Sequence, residues 1–333
     1  MPPPLVGGLR AVRSAVLTML TDSGRVLRPS WAEVPATVRV VVEEKLGSAV
    51  SKAWGQVGGF TPGLASRLAL ADGRRVFVKG LPATHAQAAS YRLEGHVVVR
   101  LPANAPTPRL LFGVDEEWIV LAFEDVDGRE PNVRPGSPDL AAVLSALNGL
   151  AKAFTPCPVR DAPSVLVDLA PLLRGWAALA VAPPTDLDPW ALRNLDSLVA
   201  VETAWHPWAE GDTLLHNDLR PDNLIRRVAD GRVVVVDWSY PCHGAPWLDV
   251  VSLVPHLLMA GHTPADAERL VLSRSAVARV PAWAVTGFAA AWAGYWELNS
   301  RLPEPAGSLG LRAYQRRAAS AARQWVAHRT RWP

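Results

Sequence analysis

The chain has 333 residues, of which 49% are hydrophobic and 20% are charged, and its formal net charge is +3. This is the composition of an ordinary soluble globular protein, and the length is enough for a sizeable core divided between two lobes. No run of apolar residues reaches the roughly 18 that a membrane helix needs, so we expect no membrane-spanning segment.

The net charge and the number of cysteines indicate which partners and which cellular compartment to expect. The positive charge is small for the length, and no block of Lys or Arg alternates with aromatic residues, which disfavours nucleic acid as a partner. The two cysteines, Cys157 and Cys242, suit a reducing compartment and no disulfide framework. We therefore expect a cytoplasmic protein, monomeric or homodimeric, without a nucleic-acid or membrane partner.

The start of the chain divides into an irregular segment and a helix. Residues 1–28 carry Pro and Gly clusters and match no regular pattern, so we interpret them as an N-terminal extension. Apolar residues at Trp31, Val38 and Leu46 then recur at helical spacing and predict one short amphipathic helix. Gly47 is the expected end of that helix.

A glycine-rich segment comes next, followed by two predicted strands that meet at an Asp-Gly turn. Main-chain N–H groups of a glycine-rich loop approach phosphate oxygens closely, because no side chain blocks them. The loop alone is weak evidence, since an ordinary surface turn has the same composition. Its candidate phosphate-binding residues are Gly58, Gly59 and Gly63.

Lys79, at the end of the second strand, is a candidate phosphate ligand. An ammonium at this position is held within reach of the α- and β-phosphates of a nucleotide, and Glu94 on the following helix is the candidate ion-pair partner. Arg92 and Arg100 share that helix, and a Lys at a strand end is also compatible with an ordinary solvent-exposed side chain. We favour the functional interpretation for both Lys79 and Glu94.

The strongest functional signal lies in the second half of the chain. His216-x-Asp218-x4-Asn223 has the spacing of a kinase catalytic loop, in which the Asp takes or orients the acceptor hydroxyl and the Asn binds Mg²⁺. A continuous apolar run at residues 233–236 predicts a buried strand that ends at Asp237, a rigid position suited to a metal ligand. Together these side chains predict phosphoryl transfer.

These residues give the chain a family resemblance. It resembles the aminoglycoside phosphotransferases and their choline-kinase-like and macrolide-kinase relatives, a branch of the protein-kinase-like fold. In that family the loop reads His-Gly-Asp-x4-Asn, and the metal-binding Asp stands before a Trp, as Asp237 stands before Trp238 here. Two departures are Asn217 in place of the usual Gly and Ala245 in place of an Asp. The resemblance covers roughly residues 30–325.

The resemblance implies an α+β, two-lobed, protein-kinase-like fold. A nucleotide-binding lobe is expected at 29–125, as an antiparallel sheet with a helix, and a mostly helical catalytic and acceptor-binding lobe at 126–333. ATP or GTP, with Mg²⁺, is expected to bind between them and to phosphorylate a hydroxyl of a small molecule. The implied roles are Asp218 as base or orienting group, Asn223 and Asp237 as Mg²⁺ ligands, Lys79 as phosphate clamp with Glu94 as its partner, and His216 and Asp249 as residues that brace the loop.

The strand predicted at 118–123 leads into a run that resembles the connector between the two lobes in this family. Such a connector offers main-chain N–H and C=O groups to the adenine edge, so the identity of its side chains matters little. The resemblance places adenine against Phe123, Glu124, Asp125 and Val126.

The rest of the chain is predicted to be mainly helical. The predicted helices comprise residues 137–154, 190–204, 248–259, 265–273, 282–300 and 311–330. Within the fifth helix an aromatic stripe consists of Phe288, Trp292, Tyr295 and Trp296. We interpret this stripe as core packing, with a stacking wall of the acceptor site as the alternative.

The distribution of charged residues along the chain gives a prediction for the charge of the acceptor. Residues 261–333 hold ten Arg against four acidic residues, whereas residues 128–215 hold ten acidic residues against six basic ones. If the last helices form a wall of the acceptor site, the arginine excess favours a neutral or anionic hydroxyl compound, of nucleoside, macrolide or sugar type, over a polycation. A true aminoglycoside phosphotransferase, with a role in antibiotic resistance, and a metabolic sugar or amino-alcohol kinase remain alternatives.

Two other classes are less favoured. A protein kinase needs an activation segment that ends near Ala-Pro-Glu, and the interval from Asp237 to Asp249 leaves no room for one. An inactive nucleotide-binding module is expected to have lost Asp218, Asn223 or Asp237, and all three are present.

Overall fold

The computed structural model describes residues 28–56 and 59–333, so nearly all of the predicted N-terminal extension lies outside the described residues. The first part of the chain forms a five-stranded antiparallel sheet in the order β1-β2-β3-β5-β4. Its strands are β1 (Val50–Gly55), β2 (Leu64–Leu70), β3 (Arg75–Pro82), β4 (Leu110–Asp115) and β5 (Trp118–Glu124).

Helix α1 (Ala36–Leu46) covers one face of this sheet. Its Val38, Val42 and Leu46 are buried in a hydrophobic cluster with side chains of β2, β3 and β5. The helix ends at Gly47, whose φ of 67° is left-handed and whose N–H bonds the last carbonyls. The predicted helix and its end are confirmed, although the regular helix begins later than predicted.

The sheet contains one strand that the sequence did not predict. β1 lies at the edge of the sheet, and none of its side chains is fully buried. An edge strand that packs this lightly has no need of apolar alternation, which is the signal that reveals half-buried strands. The glycine-rich segment therefore joins β1 to β2 instead of preceding the first strand.

The second part of the chain is mostly helical. Helix α2 (Ala88–Val98) belongs to the first part and packs against β3, β4 and β5. The helices of the second part are α3 (Asp139–Ala153), α4 (Val165–Asp168), α5 (Gly175–Val181), α6 (Pro189–Arg193), α7 (Leu195–Val201), α8 (Trp247–Ser252), α9 (Val254–Met259), α10 (Pro264–Leu272), α11 (Ala282–Asn299) and α12 (Leu311–Thr330). Short strands form two small sheets: β6 (Gly128–Arg129), β8 (Leu224–Arg227) and β9 (Val233–Val235) in one, β7 (Thr213–Leu215) and β10 (Cys242–Gly244) in the other. The predicted order of a sheet followed by helices is confirmed.

Two predicted helices are each divided in the structure. The segment predicted as one helix at 190–204 breaks at Asn194, whose side-chain amide donates to the carbonyl oxygens of Trp190 and Pro333. The segment at 248–259 breaks at Leu253, just before Pro255. Proline lacks an N–H and clashes with the preceding turn, so it suits the first turn of a new helix.

The core of the helical part is built around tryptophan. Trp176 on α5 is fully buried, and its Nε1 donates to the carbonyl oxygen of Ala290 on α11 at 2.7 Å. The buried carboxylate of Glu202 accepts from the main-chain N–H groups of Trp176 and Ala177 at the start of α5. α11 also packs along the length of α12, which fixes both long helices beside the catalytic loop. Among the described residues, no helix has the length and apolar character needed to cross a bilayer.

Candidate active site

A hairpin brings the two candidate metal ligands together. β8 and β9 pair antiparallel with Leu224 opposite Val235, and the N–H of Val236 donates to the carbonyl oxygen of Asn223 at 3.0 Å. Asn223 and Asp237 therefore stand at the same open end of this pair of strands. Asp237 has a φ of 66°, a left-handed conformation that turns the chain away as soon as the strand ends.

Asp218 lies beside Asn223. The amide Nδ2 of Asn223 donates to the main-chain oxygen of Asp218 at 2.8 Å and to its Oδ2 at 3.1 Å, which fixes the orientation of the carboxylate. Burial raises the pKa of Asp218 to about 6. The guanidinium of Arg220 acts to lower this pKa, and the carboxylates of Asp237 and Asp222 act to raise it. A carboxylate with this pKa suits the acceptance of a proton from an alcohol near neutral pH.

Asp249 and His216 form hydrogen bonds with the backbone of the segment around Asp218. The Asp249 carboxylate accepts from the main-chain N–H of His216 at 2.7 Å and from that of Asn217 at 2.9 Å. On the other side, Nε2 of His216 lies 2.9 Å from the carbonyl oxygen of Val236, and its Nδ1 accepts from the N–H of Asp218. Burial lowers the pKa of His216, so the ring stays neutral and links the loop to the end of β9.

The structure explains why Asn217 can stand where the family has Gly. Its φ is 60°, in the left-handed region that Gly adopts freely and that Asn tolerates better than other residues. Its Nδ2 also donates to the carbonyl oxygen of Tyr240 at 2.9 Å and contacts Sγ of Cys242 at 2.8 Å. The departure therefore keeps the backbone of the loop and adds an anchor to β10.

Lys79 reaches across the cleft from β3. Its Nζ lies 2.7 Å from Oε2 of Glu94 on α2 and 2.9 Å from Oδ1 of Asp237, and it stands 4.8 Å above the ring of Tyr91. Burial alone would lower the pKa of Lys79, but the two carboxylates outweigh it and hold this pKa above its ordinary value. Burial also disfavours the charged form of Asp237, yet Lys79 and the hydroxyl of Ser239 hold its pKa well below the usual range.

The oxygen atoms at this position fit Mg²⁺. Because Nδ2 of Asn223 faces Asp218, its Oδ1 is left for a cation, and Asp237 remains ionised beside it. No cluster of three or more His, Cys, Asp or Glu side chains suited to a metal occurs among the described residues. Mg²⁺ does not need one, since it binds through one or two protein oxygens together with phosphate oxygens and water.

The predicted adenine segment lines the same cavity. Phe123, Glu124, Asp125 and Val126 all contribute to its wall at the end of β5. Two of the main-chain groups here are already paired: the N–H of Glu124 donates to Arg109, and the carbonyl oxygen of Val126 accepts from Arg67. An adenine at this position would bind to the other main-chain groups of the segment.

The three predicted glycines have different surroundings. Gly58 lies outside the described residues. Gly59 lines the cavity with a φ of 67°, a left-handed conformation that glycine adopts freely. Gly63 is instead needed for packing, because a Cβ there would lie 2.8 Å from the carbonyl oxygen of Gly80 and 3.0 Å from the hydroxyl of Tyr91.

The cavity has a volume of about 980 Å³ and continues from the nucleotide end to an aromatic end. Trp292, Tyr295 and Trp296 of α11 line this second end, with Trp292 and Trp296 stacked at 5.0 Å, whereas Phe288 is buried in the core. Trp296 is also buried in that core, and Trp292 and Tyr295 pack against it. The core-packing interpretation of the aromatic stripe therefore agrees with the structure, and three of the four residues line the cavity as well. Burial lowers the pKa of the neighbouring His256 to about 3, so this wall carries no imidazolium.

Most arginines of the last helices are absent from the cavity wall. Of the ten arginines in residues 261–333, Arg312 lines the cavity. Several others form ion pairs elsewhere: Arg269 with Asp266, Arg301 and Arg323 with Glu297, and Arg329 with Glu268. Because neighbouring carboxylates neutralise these arginines, a count of arginines along the sequence overstates the positive charge of the cavity wall.

Several site residues were missed or left ambiguous by the sequence. Tyr91 lies one helical turn before Glu94, a spacing that would have placed it on the same face of α2. Arg220 contacts Asp222 at 3.0 Å and Asp218 at 3.7 Å, and it stacks on Phe60 and Tyr314. Contacts between such distant parts of the chain give no signal in the spacing of residues.

Comparisons with known proteins agree with this geometry. The model of the phosphotransferase enzyme family matches residues 64–289. A search of curated proteins finds no match. Among solved structures, the choline kinase LicA from Streptococcus pneumoniae is similar, with a TM-score of 0.59 and 15% sequence identity, covering 88% of this chain and 100% of that chain.

Two antibiotic kinases are also similar in fold. A spectinomycin phosphotransferase in complex with ADP and spectinomycin has a TM-score of 0.56 and 9% identity, covering 88% of this chain and 96% of that one. The macrolide 2′-phosphotransferase MphH from Brachybacterium faecium has a TM-score of 0.51 and 17% identity, covering 86% and 98%. These structures confirm the predicted two-lobed kinase-like fold. Because the family model spans more than half of the chain, the chain belongs to the phosphotransferase enzyme family, as an enzyme with the fold of the small-molecule kinases.

Proposed function

We propose that the protein transfers the γ-phosphate of ATP or GTP, with Mg²⁺, to a hydroxyl of a small molecule. The observation that carries this proposal is the convergence of Asp218, Asn223, Asp237 and Lys79 on one cavity. Kinase chemistry needs this set because the transferred phosphoryl group must be positioned and its charge neutralised. The nucleotide-binding lobe is proposed to span 29–125 and the acceptor lobe 126–333.

Each side chain has a defined part in this proposal. Asp218 orients the acceptor hydroxyl and takes its proton, for which its raised pKa suits it. Lys79 binds phosphate oxygens while Glu94 holds its ammonium in place. Asn223 and Asp237 hold Mg²⁺, which neutralises charge on the phosphates when bound.

For the acceptor, we propose a neutral or anionic hydroxyl compound of nucleoside, macrolide or sugar type. The half-buried rings of Trp292 and Tyr295 offer surfaces on the cavity wall for flat rings and sugars, and Trp296 packs against Trp292. Asp222, a carboxylate at this end, is already paired with Arg220, which leaves less negative charge for a polycation. Aminoglycosides, amino alcohols and sugars of primary metabolism are the alternative acceptors.

The test is a screen of nucleotide consumption with Mg²⁺, ATP or GTP, and a panel of nucleosides, macrolides, sugars, aminoglycosides and amino alcohols. Asp218→Asn is expected to abolish transfer, and Asp237→Ala to weaken Mg²⁺-nucleotide binding measured by calorimetry. Asp230→Asn, in the exposed turn of the same hairpin, is the matched control and should change neither. Transfer that survives Asp218→Asn, or Mg²⁺-nucleotide affinity unchanged by Asp237→Ala, would count against the assignment.

A further inference from the structure

Arg312 is a buried cation on the wall of the cavity. It lies in the first turn of α12, is 8% exposed, and faces the aromatic end of the cavity. Its Nε donates to the carbonyl oxygen of Pro303 at 3.0 Å and its Nη1 to Oε1 of Gln315 at 2.8 Å. Both partners are neutral, so the guanidinium has hydrogen bonds but no ion pair with any carboxylate of the described residues.

Three other cations that line the cavity differ in this respect. Lys79 lies against Glu94 and Asp237, Arg67 against Asp125, and Arg220 against Asp222. Glu304 is the acidic residue nearest in sequence to Arg312, but its Oε1 accepts from the main-chain N–H at 3.3 Å and its side chain is exposed. An exposed carboxylate in that position screens the buried guanidinium only weakly.

A buried charge without a counter-charge is costly. Removing a guanidinium from water costs several kcal/mol unless an opposite charge compensates it. Consistent with that cost, burial lowers the pKa of Arg312 although the carboxylate of Glu304 acts to raise it, whereas the paired Arg220 has its pKa raised. A guanidinium on a cavity wall is a candidate site for an anionic ligand, because its donors match the oxygens of a carboxylate or phosphate.

The surroundings of Arg312 are also rich in donors. Because Oε1 of Gln315 faces the guanidinium, its Nε2 is left as a donor on the cavity wall. Tyr295, which interacts electrostatically with Arg312, lies beside the stacked pair of Trp292 and Trp296. This end of the cavity therefore combines a cation, amide donors and flat apolar faces.

We propose that the acceptor carries an anionic oxygen group, such as a carboxylate, that binds to Arg312 and Gln315, next to a ring that packs against Trp292 and Tyr295 of α11. This inference rests on the proposed function and makes Arg312 a specificity-determining residue of the acceptor site. A bidentate guanidinium–carboxylate contact fixes both position and orientation of the acceptor. The ring and the anion together would hold the reactive hydroxyl toward Asp218.

Arg312 also has a possible structural role, because it ties the segment at Pro303 to the start of α12. That role does not depend on the charge of the acceptor. A comparison of ligands that differ in charge alone, with the wild-type protein, therefore separates the two explanations. It does not require the variant to fold.

The experiment uses three probes with the same ring and hydroxymethyl group: 3-(hydroxymethyl)benzoate, 3-(hydroxymethyl)benzamide and 3-(hydroxymethyl)benzylamine. Binding is measured by calorimetry and phosphate transfer by kcat/KM, with Mg²⁺ and nucleotide present. We expect the benzoate to bind at least about tenfold more tightly than the benzamide, and the benzylamine to bind worst, as the energy of a charged hydrogen bond implies.

Arg312→Gln is expected to reduce benzoate affinity at least about tenfold and to leave benzamide affinity within about threefold. Arg317→Gln is the matched control, since it removes an exposed arginine of the same helix. Equal affinity for the three probes, no binding of any of them, or an equal loss for benzoate and benzamide in Arg312→Gln would overturn the inference. Charge-selective binding without phosphate transfer to any hydroxyl would instead leave the subsite standing and refute the proposed function.

Discussion

The ammonium of Lys79 lies 2.9 Å from the carboxylate of Asp237, although 158 positions separate the two residues along the chain. The contact joins β3 of the sheet to the end of β9 in the helical part. The same ammonium also neutralises Glu94. One cation thus compensates two carboxylates from different parts of the fold, the buried one of Glu94 and the half-buried one of Asp237.

Loss of this cation should destabilise the protein as well as inactivate it. Lys79→Met leaves Glu94 and Asp237 without their shared partner, which we expect to cost about 3 kcal/mol of unfolding free energy. Adding Glu94→Gln should restore much of the stability but none of the activity, because phosphate binding still lacks its ammonium. Urea unfolding and kcat/KM of the single and double variants measure both effects. Lys52→Met, on the exposed face of β1, is the control. Strictly additive stability losses would contradict the shared-partner model.

The local part of the site was predictable from the sequence, for a physical reason. Asp218, Asn223 and Asp237 belong to one loop and the hairpin that follows it. Their spacing along the chain is therefore enough to predict that their side chains lie close together. Lys79 and Glu94 likewise belong to one strand–helix unit. Within a short loop with its hairpin, or within one strand–helix unit, the chain allows few relative positions for two side chains. The pattern of apolar residues shows where the strand and the helix end.

The acceptor end could not be predicted in the same way. Arg312, Trp292 and Arg220 meet around one cavity through the packing of helices and loops that are distant in the chain. A count of arginines cannot distinguish Arg312, which faces the cavity, from Arg323, which pairs with Glu297 between helices. That distinction depends on tertiary packing. Tertiary packing also determines where the helix predicted at 190–204 divides into α6 and α7, and which aromatic side chains face the cavity.

The pH dependence of the reaction should follow Asp218. Its pKa is raised to about 6, and it works as a carboxylate, so kcat/KM is expected to hold above this pH and to fall by about tenfold per unit below it. Asp237 stays ionised over the same range, because its pKa is well below the usual value. Nucleotide affinity measured in parallel should therefore change little. A flat kcat/KM profile between pH 5 and about 8 would exclude Asp218 as the group that takes the proton.

Asn217 offers a test of the backbone of the catalytic loop. Its φ of 60° suits Gly or Asn and strains a β-branched residue by about 1–3 kcal/mol. Asn217→Gly should therefore keep kcat within a few-fold and lose only the anchors to Tyr240 and Cys242. Asn217→Val should lose stability and most of kcat, because the strain displaces Asp218. If the Val variant has the same denaturation midpoint and the same kcat as the Gly variant, backbone strain at position 217 does not affect the loop.

The packing of α11, which carries the aromatic wall, depends on Gly294. A Cβ at this position would lie 2.7 Å from Cδ1 and 2.8 Å from the N of Trp176, closer than packed atoms approach. Gly294→Ala should therefore lower the free energy of unfolding by about 1–3 kcal/mol, because α5 and α11 must separate. Gly149→Ala is the matched control in α3, where a Cβ meets no atom within 4 Å and helix propensity favours Ala by about 1 kcal/mol. Urea unfolding of both variants should give shifts of opposite sign. If Gly294→Ala is as stable as the wild type, the close contact between these two helices is not a constraint on the fold.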